Sequence, residues 1–182
     1  MHIFRDHNLR IALKTLASPA ALLAALAVAA PAEAAYVINF EQVGANVVAT
    51  GSGSLDITGL SFRNGGTLFN HITPVGNNFT SGSAGRYSLY ETVTGAPLMG
   101  TGGTVFPTSS VGSRVGIMSN QFLLVAEGYV SGSDLGTTVT TFGNATFASL
   151  GLTVGSYVWT WGSGLSADNL TINIPAAVLP VP

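Results

Sequence analysis

The chain has 182 residues, no cysteine, three histidines, and a formal net charge of −2 with only 8% charged residues. So sparse and slightly acidic a charge set excludes binding along a phosphate backbone, which needs clustered Lys and Arg. The missing cysteine excludes a disulfide scaffold and, with so few histidines, an ordinary zinc site.

The first element is a targeting segment. Arg5, Arg10 and Lys14 precede Leu16 to Ala30 (LASPAALLAALAVAA), a 15-residue apolar run followed by Pro31 and Ala32-Glu33-Ala34. A basic start, a short apolar middle and small residues at an A-x-A site predict a signal-peptide helix over 1–34, cut between Ala34 and Ala35. The run is shorter than the about 20 apolar residues that a span takes, and no membrane span is predicted after it. The remaining 148 residues suit one domain, here 35–174, with 175–182 as a Pro-rich tail. They keep Arg63, Arg86 and Arg114 against Glu41, Asp56, Glu91, Glu127, Asp134 and Asp168, a net charge of −3 without lysine. A polybasic route to an anionic membrane surface is thereby excluded.

All 23 glycines follow the targeting segment, and the composition is that of strands and turns. Tyr36, Ile38 and Phe40 alternate with Val37, Asn39 and Glu41, which predicts a strand. Short strands are predicted next at 46–49, 55–58 and 60–62, parted by Gly51-Ser52-Gly53, Gly59 and Asn64-Gly65-Gly66. Arg86–Val93 is a further strand. Pro97–Ser110 has no period and reads as a long loop. Strands resume at 114–118, 121–127, 137–142 and 145–147. The ending GSYVWTWGSGLSADNLTINI, 155–174, reads as a hairpin. No helical period of useful length follows residue 34. Turns every eight to twelve residues predict an all-β fold, an antiparallel β-sandwich of jelly-roll-like form with roughly eight to ten strands. An outer-membrane barrel is an alternative that the same alternation allows, although three prolines in the last eight residues and the aperiodic 97–110 segment weigh against it.

Candidate chemistry is thin. His71 is the single histidine left after residue 34, and no Gly-x-Ser-x-Gly elbow accompanies it, so no catalytic triad is predicted. Six scattered acids leave a two-carboxylate hydrolase open as an alternative. Gly162-Ser163-Gly164-Leu165-Ser166-Ala167 fits G-x-G-x-x-A formally, but plain β alternation follows it instead of a helix, so no dinucleotide site is expected. No metal and no cofactor are predicted. Tyr157, Trp159 and Trp161 fall at i, i+2 and i+4 and share one strand face. Two readings stand for that face: packing into the core, or a platform on which sugar rings stack, with Tyr87 or Tyr90 as further members.

INFEQVGANVVATGSGSLDITGLSF (38–62), GYVSGSDL (128–135), ATFASLGLTVGSYVWTWGSGLSADNLTINI (145–174) and the terminal AAVLPVP together resemble exported bacterial proteins that carry a PEP-CTERM sorting tail. The resemblance covers nearly all of the chain after residue 34. It implies export, a cell-surface or extracellular location, and association with biofilm and exopolysaccharide. The family's tail continues through Glu-Pro, an apolar span and an arginine cluster, whereas this sequence stops at Val181-Pro182. Exosortase is therefore an expected partner only if such an anchor was trimmed. The expectation from sequence is a non-enzymatic matrix protein, with a carbohydrate-binding module and a small secreted glycan hydrolase as alternatives.

Overall fold

The computed structural model describes residues 35–176. The predicted signal helix, Ala34 at the predicted cut, and residues 177–182 of the predicted tail lie outside the described residues. Within them the protein is an all-β sandwich of two six-stranded sheets. Sheet one runs in the order β11 (Gly155–Trp161), β12 (Asp168–Ile174), β1 (Ala35–Val43), β2 (Asn46–Gly53), β10 (Thr138–Phe142), β7 (Ser109–Val111). Sheet two runs β3 (Ser61–Thr67), β6 (Arg86–Glu91), β9 (Phe122–Ala126), β8 (Val115–Met118), β5 (Asn78–Ser81), β4 (Ile72–Thr73). The chain crosses between the sheets after β2, β6, β7 and β9. Both sheets are open, with outer strands at each side and a side-chain-filled interior, which sets aside the barrel alternative.

The core follows the alternation. Tyr36, Ile38 and Phe40 of β1 are buried together with Leu170, Ile172 and Ile174 of β12. From sheet two, Phe79, Val115, Ile117, Leu123 and Val125 complete the cluster. The Phe40 and Phe79 rings meet edge to face at 5.1 Å, one from each sheet, a favoured aromatic geometry. In β9 the run Leu123-Leu124-Val125 is wholly buried, and Leu124 opposes Leu89 of β6 on the face away from the main cluster. A continuous apolar run belongs to a strand covered on both faces.

Several local expectations are corrected. The sheets are not antiparallel throughout, since β1 pairs β12 in parallel, Ile38 opposite Ile172. Residues 55–58 do not form a strand. The Asp56 carboxylate accepts from the Thr58 N–H (2.8 Å) and hydroxyl, an Asx turn that diverts the backbone from a ladder. Residues 145–147 are also a turn, closed by Thr146 N–H to Ser149 Oγ (2.8 Å) and Ser149 N–H to Thr146 Oγ1 (3.0 Å). Leu55 and Phe147 remain buried in both places, so their apolar spacing reflects insertion into the core without strand pairing. Asn64-Gly65-Gly66 lies inside edge strand β3, where a turn was expected. A Cβ at Gly65 would stand 2.8 Å from the Tyr87 carbonyl oxygen, so glycine is what lets β3 lie against β6. The aperiodic 97–110 segment is pinned along its length. The Met99 N–H donates to Asn77 Oδ1 (2.7 Å), the Thr153 N–H to Met99 O (2.8 Å), and Val105 exchanges two 2.9 Å bonds with Ile72.

Buried polar groups tie the layers together. The Tyr36 and Thr138 hydroxyls share a 2.8 Å hydrogen bond between β1 and β10. Burial pushes the Tyr36 phenol up to about 12, against a lesser downward pull from Thr138. Below pH 10 the phenol is neutral folded or unfolded, and its full contribution is present. Between pH 10 and 12 only the unfolded chain ionises, so stability falls by about 1.4 kcal/mol per pH unit from this residue alone. Urea melts from pH 9 to 12 should show a decline in wild type that is shallower by roughly 3 kcal/mol in Tyr36→Phe. Equal slopes would refute the assignment.

Candidate functional site: a concavity beside a buried arginine

The aromatic face nominated by sequence is core. Trp159 is 0%, Trp161 4% and Tyr157 6% exposed, and the small face carrying Val158 and Thr160 looks outward. The physical reason is area: each ring removes a large apolar surface from water when the second sheet covers it. The Trp159 indole N–H donates to Asn120 Oδ1 (2.7 Å) and that of Trp161 to the Asp56 carbonyl (2.7 Å). No sugar can stack on these faces, so the platform reading of Tyr157, Trp159 and Trp161 is withdrawn. Tyr90 packs on the same core and meets Phe62 at 5.9 Å, while Tyr87 lies against Gly66. Neither extends a platform with the tryptophans. GSGLSA forms a short 3-10 turn at Gly164–Ser166 between β11 and β12, the hairpin expected in place of a phosphate loop.

The acids hold loops. Glu91 pairs with Arg63 (3.1 Å) and Glu127 with Arg86 (2.7 Å) at the surface. Asp134 accepts from the Gly136 N–H (2.8 Å). Asp168 accepts from the backbone N–H groups of Asp56 and Asn169. It lines a concavity of about 520 Å³ with Thr92, Thr94, Thr160 and Trp161. Asp56, bonded by Thr58 first and by Ser131 (2.8 Å), is held below the ordinary carboxylate range. A glycosidase acid needs the opposite shift, so that it still carries a proton near neutral pH. Among the described residues no group of three or more His, Cys, Asp or Glu is placed to hold a metal ion. His71 stands just before β4, and its Nδ1 lies 3.0 Å from the carbonyl of Phe69, two residues back.

A second concavity, of about 500 Å³, lies where the loop after β3 meets the segment leading into β7. Its apolar lining includes Phe69 and Phe106, which are 84% and 62% exposed. Large rings left this open on a rigid scaffold mark contact surfaces far more often than single exposed aliphatics do. Their backbones are fixed. The Ile72–Val105 bonds hold Phe106, and Thr80 N–H to His71 O (3.0 Å) holds the Phe69 loop. Polar lining comes from Asn70, Thr108, Ser109 and Ser110. The Ser110 hydroxyl also joins Thr140 (2.6 Å), which joins Ser81 (2.7 Å), a hydroxyl chain linking the two sheets beneath the site.

Arg114, at the entry to β8, is the remaining lining residue of note, only 3% exposed. Its Nη1 donates to Gly85 O (2.9 Å), and its Nη2 donates to Leu68 O (2.6 Å) and Asn70 Oδ1 (3.1 Å). Burial lowers its pKa, but a guanidinium stays charged in a protein. Sequence reasoning missed Phe69, Phe106 and Arg114. Two phenylalanines in aperiodic segments and one of the three arginines among the described residues carry no pattern, and only the fold brings them together. No family model, curated protein or solved structure matches this chain.

Proposed function

We propose that the protein is an exported, non-enzymatic component of the cell surface or extracellular matrix that binds carbohydrate at the Phe69–Phe106 concavity. The observation that carries this reading is the pair of exposed rings over a polar floor of Asn70, Thr108, Ser109 and Ser110. A pyranose has the matching surface, with apolar C–H faces for rings and a rim of hydroxyls for short polar side chains. The volume suits one or two sugar units, well within the range of ordinary ligand pockets. Export rests on the basic and apolar pattern of residues 1–34, and the matrix setting rests on the PEP-CTERM resemblance.

The test is a glycan array and affinity electrophoresis with the purified protein. Phe69→Ala and Phe106→Ala should each weaken retention by about tenfold, corresponding to roughly 1.4 kcal/mol per stacked ring. Thermal melting should hardly change, since both rings are exposed. Undiminished retention by the double variant, or no retention of any glycan by wild type, would overturn the reading.

A further inference from the structure

We propose that this concavity takes an acidic sugar, its ring against Phe69 and Phe106 and its carboxylate against the guanidinium of Arg114. The inference rests on the carbohydrate reading and adds the chemical class of the sugar. The three arginines of the described residues divide sharply. Arg63 and Arg86 are exposed and each has a carboxylate partner, Glu91 and Glu127. Arg114 is the buried one, and its side-chain hydrogen bonds go to two backbone carbonyls and one amide oxygen. Its Nε has no hydrogen-bond partner although it is sealed from solvent.

A buried cation is ordinarily paired, because neutral oxygens offset only part of the lost hydration. Here the protein supplies the neutral oxygens and no counter-charge. The carbonyls of Leu68 and Gly85 and the Asn70 amide orient the guanidinium through three of its five N–H groups, and Nε is the nitrogen with no partner at all. A carboxylate entering between Phe69, Phe106 and Ser110 would bring the missing charge to the wall that Arg114 lines, acting on the guanidinium as a nearby counter-charge and leaving those three bonds in place. Arginine suits this role better than lysine, since a guanidinium keeps its charge when buried whereas a buried lysine readily gives it up. The protein's acidic surface would repel a polyanion at long range, so the attraction is local and confined to this floor. An isolated uronate unit within a mixed glycan fits that field better than a densely charged polymer.

Galactose oligosaccharides carrying a single galacturonate unit and wholly neutral galactose oligosaccharides of equal length are the probes. Wild type should bind the acidic series at least tenfold more tightly, with the preference shrinking as salt rises. Arg114→Gln should bind both series alike, and Arg114→Lys should retain part of the preference. Because replacing a buried arginine can impair folding, the direct readout is the Arg114 Nε–H resonance of wild type. It should move on adding the oligosaccharides that carry one galacturonate unit and stay in place with the neutral ones. Equal binding of both series without movement of that resonance overturns the acidic assignment and leaves the carbohydrate reading standing. Acidic binding that survives Phe69→Ala/Phe106→Ala and leaves the resonance unmoved overturns the placement of the site. Binding of neither series, nor of any arrayed glycan, removes both proposals together.

Discussion

Trp159→Ala should lower the free energy of unfolding by about 3–5 kcal/mol, the largest single-residue loss expected for a buried ring. Trp159 is fully buried at the middle of β11, opposite Leu170 of β12. Its removal leaves a cavity in the interior shared by both sheets, and a β ladder on either side cannot collapse to fill it. It also takes away the indole N–H that donates to Asn120 Oδ1. Trp159→Phe separates the two effects. It restores most of the apolar volume but not the donor, and should cost about half as much. Urea unfolding followed by circular dichroism measures both. A loss below about 1 kcal/mol for the alanine variant would mean that the ring does not occupy the core.

Asn77→Ala should cost about 2–4 kcal/mol through a different mechanism. Asn77 is wholly buried, yet its amide is fully used. Nδ2 donates to Ala96 O (3.1 Å), Pro97 O (2.9 Å) and Asn120 Oδ1 (2.8 Å), while Oδ1 accepts from the Met99 N–H (2.7 Å). Asn120 is the hub on the other side, accepting from Trp159 and the Ala96 N–H as well. This network fastens the aperiodic segment after β6 to the sandwich. Alanine would leave the buried Met99 N–H without a partner and would have to hold φ 47°, a left-handed region that asparagine tolerates better than alanine does. Asn77→Gly relieves the backbone cost alone, so it should recover roughly 1 kcal/mol of the loss. Amide exchange should show residues 96–105 opening before the strands in either variant. A wild-type-like exchange pattern in that segment would count against the network's role.

The alternating stretches were readable because a sandwich strand has one buried and one outward face. Tyr36-Ile38-Phe40 and Leu170-Ile172-Ile174 each announce their buried side by period alone. The stretches misread as strands, 55–58 and 145–147, show where that logic stops. Two or three alternating residues also describe a turn that inserts one side chain into the core, and local side-chain bonds from Asp56 or Thr146 decide between them. The two shortest strands, β4 and β7, were invisible for a related reason. Each has too few residues to show a period and exists because a neighbouring edge offers it partners. Edge strand β3 was misplaced by its glycines, which serve close approach to Tyr87 and not a change of direction.

The candidate site was not legible, because nothing periodic defines it. Phe69 and Phe106 are separated by β4, β5 and β6, and Arg114 stands after β7, just before β8. Only long-range pairing, Ile72 with Val105 and β5 with β8, brings them to one concavity.

The sequence by itself determined the all-β class, the alternating faces of the longer strands and the closing hairpin. These follow from composition and near-neighbour spacing, which are local properties. Tertiary structure alone decided that the tryptophan face turns inward, that β1 and β12 run parallel, and that Arg114 is buried without a carboxylate. Those depend on which distant segment packs against which, and burial is a property of the assembled layers. A ring on a strand face has the same spacing whether a second sheet covers it or water does.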